Sequence, residues 1–329
     1  MARIMVTGCA GFIGYHVSRA LLARGDEVAG CDNLCPHYDV TLKRARLDQL
    51  LEMPGFAFQQ LEMADREAVL GYFAKERVEA VIHLAALAGV RYAMQCPELY
   101  VQSNLVAFGH VLDALVRHPV EHLVYASSSS VYGASTRQPF ALDDPADTPL
   151  SLYAATKRAN EHMAYSYSHL HGLPATGLRF FTVYGPWGRP DMALYLFTER
   201  MLAGQPLTIF NFGHHKRDFT YIDDVVEAVL AVLAVPPATP PQDQLSRARH
   251  RILNVASGHP VPILECVRLL EGYLGRQASI ELLPLQPGDV PETFGDISDL
   301  KALTGFTPRT TIEEGLAHFT SWYRWHTAR

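Results

Sequence analysis

The chain predicts an α/β protein, a doubly wound parallel sheet joined to a second, smaller mixed α/β lobe. Three observations carry that expectation. A short apolar strand runs directly into a glycine-rich turn and a helix. Apolar runs and amphipathic stretches then alternate as far as residue 181. Beyond it the pattern gives way to turn-rich loops and short elements. Parallel strands covered on both faces read as unbroken apolar runs, and the helices between them are the crossovers.

The elements follow in order. Arg3 to Thr7 reads as the first strand, followed by Gly8-Cys9-Ala10-Gly11-Phe12-Ile13-Gly14 and a helix that Gly25 closes. Glu27 to Cys31 is the second strand, ending at Asp32. Glycines let a backbone approach a pyrophosphate, the helix N-terminus offers N–H groups, and an acid after the second strand accepts ribose hydroxyls. This order of features points to a dinucleotide, and a carboxylate at Asp32 would repel a 2′-phosphate, favouring NAD over NADP. Lys43, Arg44 and Arg46 read as the solvated face of a helix.

Phe56 to Leu61 is a strand, with Glu62 and Met63 at its end near the adenine edge of the expected ligand. Arg66 to Lys75 is a helix capped by Asp65, and Ala80 to Ala85 a buried strand in which His83 reads as a core histidine. Ala85-Ala86-Leu87-Ala88-Gly89 is a loop of small residues suited to close approach. A long helix from Glu98 to His118 carries Asn104. Leu123 to Ala126 then delivers Ser127-Ser128-Ser129-Ser130 at a strand's carboxyl end, where open α/β sheets bind ligands. A second long helix, Tyr153 to His171, precedes the strand Thr176 to Phe181. Two helices of about 20 residues with apolar stripes exceed what one core face needs, so a homodimer packed through 98–118 and 153–171 is expected.

Tyr153 and Lys157 stand one helical turn apart, on the same face. A phenol beside an ammonium can serve as a base, since a positive neighbour favours the phenolate. Placed against a nicotinamide, it can take a proton from an alcohol while hydride leaves the carbon.

Length and composition set the bounds. The 329 residues exceed the roughly 250–300 at which single cores stop growing. Two lobes are expected, a dinucleotide-binding domain over 1–181 and a substrate domain over 182–329, with returns to the first near 217–235 and 252–257. A net charge of −6 argues against nucleic acid as a partner, so an anionic ligand needs a local basic pocket. Five cysteines, without a CxxC pair, read as the reduced thiols of a cytoplasmic protein. The strand pattern starting at the first residues leaves no room for a signal peptide, and no uninterrupted apolar run approaches ~18 residues, so no membrane span is expected. No metal-ligand spacing stands out, and His214-His215 reads as surface or substrate-loop histidine. Residues 236–250 read as a Pro/Gln/Arg-rich surface loop.

With GxxGxxG, Asp32, the serine run and YxxxK in order, the chain resembles the extended short-chain dehydrogenase/reductases, on a Rossmann fold. Within them DNLCPHYDVTLKRARL (32–47), HLAALAGVRYA (83–93), SSSSVYG (127–133), SLYAATKRANE (151–161), LRFFTVYGPWGRPDMA (178–193), KRDFTYIDD (216–224) and LPLQPGDVPETFGDIS (283–298) are similar to the UDP-glucuronate 4-epimerases. The resemblance implies tightly held NAD and a UDP-sugar substrate. It implies Ser128, Tyr153 and Lys157 as catalytic residues, with Ser129 a substitute or helper. Gly8, Gly11, Phe12, Ile13, Gly14, Asp32, Asn33, Glu62, Met63, Leu84, Ala85, Ala86 and Asn104 would join Tyr153 and Lys157 around the cofactor. It puts Arg217, and with it Arg91, on the diphosphate and Asp289 on the uridine ribose; Gln286 stands where the galactose epimerases carry a phosphate-binding arginine. Arg189 and Thr182 are suited to hold a sugar carboxylate, because guanidinium binds carboxylate through a two-pronged fork. The rivals are a decarboxylase giving UDP-xylose, a neutral UDP-hexose 4-epimerase, a 4,6-dehydratase and a non-catalytic nucleotide-binding scaffold. A dehydratase would carry an Asp-Glu pair where Ser129 and Ser130 stand, and a scaffold would be expected to have lost Tyr153 or Lys157.

Overall fold

The computed structural model describes residues 1–241, 246–286 and 288–328; residues 242–245 of the expected 236–250 loop lie outside them. β1 (Arg3–Thr7), α1 (Phe12–Ala23), β2 (Glu27–Asp32), α2 (Val40–Leu51), β3 (Phe56–Gln60), α3 (Arg66–Glu76) and β4 (Ala80–His83) form the first half of a doubly wound sheet. The chain continues through α4 (Val90–Gln95), α5 (Pro97–Tyr100), a π-helical turn (Val101–Val106), α6 (Ala107–Arg117), β5 (His122–Ser128), α7 (Leu152–His171) and β6 (Ala175–Phe180). The sheet has seven parallel strands in the order β3-β2-β1-β4-β5-β6-β10, where β10 is His250–Val255. Strand order reverses between β1 and β4, so the crevice beyond their carboxyl ends is where such a sheet receives a ligand.

Two buried clusters cover the two faces. One packs α1 and Ile222–Val232 against the sheet and runs on into the second lobe; the other gathers Val69, Phe73, Phe108, Val111, Leu112 and Leu123. His83 belongs to the core, its Nδ1 2.8 Å from Thr7 Oγ1, and burial pushes its pKa down to about 3. Asp65 caps α3 by accepting from Ala68 N.

The second lobe holds β7 (Thr182–Tyr184), α8 (Ala193–Leu202), β8 (Leu207–Ile209), β9 (Lys216–Tyr221), β11 (Pro260–Pro262), α10 (Ile263–Leu274), β12 (Ile280–Leu282) and α12 (Ile312–Thr327). β11, β9 and β7 make a three-stranded sheet, and β12 pairs with β8. Two later segments lie in the first layer: β10 pairs with β6, and α9 (Ile222–Leu233) packs on α1. Between them and α12 comes α11 (Ser298–Thr304).

Two expectations change here. The helix expected from Glu98 begins at Pro97 and passes through the π-helical turn before α6. By length and composition alone the stretch Pro97–Arg117 is apolar enough to cross a membrane. In the fold its buried face is Phe108, Val111, Leu112 and Leu115, and Asp113 on it pairs with Arg66. The basic run of α2 is also not a solvated face. Arg44 is exposed, but Lys43 and Arg46 are buried, because 43, 46, 47 and 50 fall on one helical stripe with Leu47 and Leu50.

Candidate active site

The site starts at the glycine turn between β1 and α1. Gly8 has φ +72°, and a Cβ there would stand 2.8 Å from Ala85 N. A Cβ on Gly14 would stand 2.1 Å from Gly8 O, so only glycine lets the turn fold this tightly. Gly11 precedes α1 and supplies no side-chain cap, leaving the first-turn amides for a ligand. Asp32 at the end of β2 accepts from Ala10 N at 3.2 Å and Leu34 N at 2.8 Å, keeping a carboxylate at the crevice.

These elements enclose a cavity of about 370 Å³. It is lined by Gly8, Gly11, Phe12, Ile13, Gly14, Asp32, Asn33, Glu62, Met63, Leu84, Ala85, Ala86, Ser128, Ser129, Tyr153 and Lys157, the expected cofactor set with one exception. Asn104 does not line it. Its amide is turned to the loop behind, with Oδ1 accepting from Leu87 N and Nδ2 donating to Leu87 O and Thr156 Oγ1. The π-helical turn places it there, a common device near functional sites. Asn104 thus ties the loop at Leu87, which lines the cavity, to α7.

α7 begins with Ser151, whose Oγ accepts from Ala154 N, and this cap sets the helix so that Tyr153 and Lys157 face the end of β5. Ser128 closes β5 and caps the short helical turn that follows, accepting from Ser130 N at 3.2 Å. Burial holds the Tyr153 phenol pKa above its ordinary value, and a hydrogen bond from Ser128 and the charge of Arg189 offset part of that rise. Arg189, from the loop after β7, is thus a positive neighbour of the phenol that the helix pattern did not mark. The Lys157 ammonium instead donates to Ala126 O at 3.0 Å, and burial brings its pKa down to about 8. One turn further along α7, Glu161 accepts from Ser127 at 2.6 Å and from both prongs of Arg179 at 2.8 Å, buttressing the serine run from behind.

A second cavity, of about 710 Å³, adjoins the first, and His37, Gly89, Val90, Thr182, Val183, Arg189 and Met192 line both. Arg91, Arg217, Gln286 and Asp289 line its far side, bringing the expected substrate residues together. Arg217 donates to Asp289 Oδ1 at 2.8 Å, and Arg91 lies over the Phe210 ring at 4.9 Å. Burial pushes the Arg217 pKa down. His215 is buried beside Asp289 in this cavity, so of the two adjacent histidines only His214 is at the surface.

Sequence reasoning passed over His37, Lys43 and Asp191, which all line one of the two cavities. Lys43 was legible in the stripe it shares with Leu47 and Leu50. Asp191 follows Arg189 by two residues and takes its Nε and NH2 prongs at 3.0 and 2.5 Å. Nothing in the sequence pattern marks His37.

A Tyr–Lys helix turn, a serine on the adjoining strand end and a glycine turn at one crevice define a dinucleotide-dependent enzyme that acts on an alcohol. The chain belongs to the NAD dependent epimerase/dehydratase family, whose model matches residues 4–248. It is 46% identical to a probable UDP-glucuronate 4-epimerase of Rhizobium meliloti, over 98% of this chain and 96% of that one. It is 45% identical to UDP-glucuronate 4-epimerase 4 of Arabidopsis thaliana, over 97% of this chain and 75% of the plant protein. The crystal structure of UDP-glucuronic acid 4-epimerase from Bacillus cereus, in complex with UDP-glucuronic acid and NAD, superposes with a TM-score of 0.89. That pair is 31% identical and covers 98% of this chain and 99% of the other.

Proposed function

We propose that the protein is an isomerase that interconverts UDP-glucuronate and UDP-galacturonate by transient oxidation at C4. The carrying observation is Arg189 at the junction of the two cavities, close enough for its charge to offset part of the rise that burial gives the Tyr153 pKa. A guanidinium there can meet a carboxylate borne on C5, the carbon next to the one whose hydroxyl Tyr153 deprotonates.

The residues fit NAD: the tight glycine turn, the uncapped first turn of α1 and the carboxylate of Asp32 suit a pyrophosphate and a ribose without a 2′-phosphate. When bound, NAD supplies reversible acceptance of a hydride from C4. Tyr153, as phenolate, removes the proton from the 4-hydroxyl, and Ser128 hydrogen-bonds the same oxygen. Lys157, anchored on Ala126 O, holds positive charge at the base of the cavity. Arg217 and Arg91 hold the diphosphate, with Gln286 on the same side, and Asp289 holds the uridine end. The 4-keto sugar turns over between these anchors and is reduced on its other face, giving net inversion.

A 4-ketone with a carboxylate on C5 is a β-keto acid. It loses carbon dioxide fastest when the C5–C6 bond stands perpendicular to the carbonyl. Arg189 and Thr182 hold the carboxylate away from that orientation, which separates epimerisation from decarboxylation. Purified protein given UDP-glucuronate should form UDP-galacturonate without a UDP-pentose; a pentose as main product would assign it as a decarboxylase instead.

The working unit is a homodimer through the 98–118 and 153–171 segments. Its support is that Leu99, Val101, Leu152 and Leu170 are exposed on these neighbouring helices, where a partner's copies would cover them. Sedimentation at micromolar concentration tests this, and a monomeric mass would refute it.

A further inference from the structure

The loop that carries Arg189 is fastened to the cofactor half of the molecule through three consecutive carbonyls. His16, on α1, lies with Nε2 2.9 Å from Pro186 O; burial pushes its pKa down to about 3, so the ring is neutral and this nitrogen donates. Arg46, on α2, takes the other two. Its Nε and NH2 donate to Trp187 O at 3.1 and 2.6 Å, and NH2 also reaches Gly188 O at 3.3 Å. The remaining prong, NH1, donates to Ala10 O in the glycine turn at 3.0 Å and to Tyr38 Oη at 2.9 Å. Arg46 is 0% exposed, and among the described residues no carboxylate pairs with it. A buried cation is costly unless hydrogen bonds or charge compensate it, and here carbonyls on two separate loops do so.

The loop needs such fastening. Trp187 has φ +63°, a left-handed conformation unfavourable for a bulky residue, and it stands two residues before Arg189. Strained backbone persists only where its surroundings over-determine it. Trp187 is held by the Arg46 bonds to its carbonyl and by ring contacts with Tyr15 and Trp322.

We propose that Arg46 is a positioning residue that joins the glycine turn to the Arg189 loop, so that cofactor and sugar nucleotide bind cooperatively. Whatever orders the glycine turn fixes Ala10 O, hence the guanidinium, hence the carbonyls that aim Arg189. By linkage the effect runs equally in the other direction. The sugar-side readout rests on the proposed meeting of Arg189 with the substrate carboxylate.

The test is Arg46→Lys, whose single ammonium cannot span both loops. In folded variant protein, NAD retained through dialysis should fall severalfold. At saturating NAD, KM for UDP-glucuronate should rise about tenfold, a loss of one prong-sized interaction. Kd for UDP, which has no sugar carboxylate, should stay unchanged. Loss on one side only, or equal loss for UDP and UDP-glucuronate, overturns the coupling. If the variant does not fold, the wild type decides: hydrogen exchange across Trp187 and Gly188 should slow when NAD is added to cofactor-depleted protein, and no change there overturns the proposal. Arg189→Ala separates the two readings. If it leaves KM for UDP-glucuronate untouched while Arg46→Lys still weakens both ligands, the coupling stands and the carboxylate assignment falls.

Discussion

Arg189 meets Asp191 prong for prong, Nε to Oδ1 at 3.0 Å and NH2 to Oδ2 at 2.5 Å, and its NH2 also donates to Ala88 O. The edge of the guanidinium best suited to a carboxylate is therefore already filled from within the protein. Asp191 in turn lies 3.9 Å from His37 Nε2, at the junction of the two cavities. A substrate carboxylate must compete with Asp191 or take the remaining NH1 edge.

Removing that competitor should favour an acidic ligand, since an anion beside an anion site always opposes binding. Asp191→Asn should lower KM for UDP-glucuronate about threefold, the size of a partly screened charge. Because Arg189 is then held less firmly, traces of UDP-pentose should also appear in the product chromatogram. A raised KM would mean that Asp191 aims Arg189 more than it competes.

The acid limb of the rate profile reports the phenol. Burial raises the Tyr153 pKa, and Ser128 and Arg189 oppose the rise. The base must be ionised, so removing either helper moves the acid limb of kcat/KM to higher pH. Ser128→Ala and Arg189→Ala should each do so in initial-rate profiles. Lys157 supplies a separate limb: its ammonium pKa is lowered to about 8, so positive charge at the base of the cavity fades above that pH. An acid limb that stays in place in both variants would remove Tyr153 as the titrating group.

The sheet, its crossovers and the cavity lining were legible because they rest on periodicities that tertiary packing reinforces. Buried parallel strands had to be apolar, and YxxxK had to share a helix face. What escaped the sequence depends on contacts between distant segments. The stripe of α2 that includes Arg46 resembles any basic helix until the carbonyls of Trp187 and Gly188 are found against it. The bonds of Asn104, in the π-helical turn, to the Leu87 loop likewise join segments that the sequence does not show to be neighbours. Lys157 was legible beside the phenol from helix spacing, whereas Arg189, whose charge also acts on it, arrives from a loop more than 30 residues later.

Glu161 and Arg179 test how much the buttress behind the serines contributes. Both are almost fully buried, and the bidentate pair also carries Ser127. Breaking a buried pair by removing one partner costs about 3–5 kcal/mol. Glu161→Gln should therefore lower Tm by about 10 °C, at roughly 2–4 °C per kcal/mol. Burial raises the Glu161 pKa, but Arg179, Ser127 and Arg158 together bring it below the usual carboxylate value. The sign follows: its stabilisation is complete above the unfolded pKa and is lost as pH falls through the folded one. Acid melts of the wild type should lose this increment below about pH 4.5, and those of Glu161→Gln should not.

Gly14 and Gly71 are both helical, yet alanine should have opposite effects at the two. At Gly71, on α3, an added Cβ has nothing within 4 Å, and the residue is exposed. Replacing an exposed helical glycine gains about 0.5–1 kcal/mol of stability, so Gly71→Ala should raise Tm slightly and leave bound NAD unchanged. At Gly14 the Cβ would stand 2.1 Å from Gly8 O and 3.0 Å from Cys9 Cα, both backbone and unable to yield without opening the glycine turn. That turn carries the amides proposed to face the pyrophosphate. Gly14→Ala should keep its far-ultraviolet circular dichroism while NAD released on denaturation falls more than about tenfold, an interaction loss near 1.4 kcal/mol or greater. Full NAD content in a folded Gly14→Ala protein would show that the pyrophosphate does not depend on this turn.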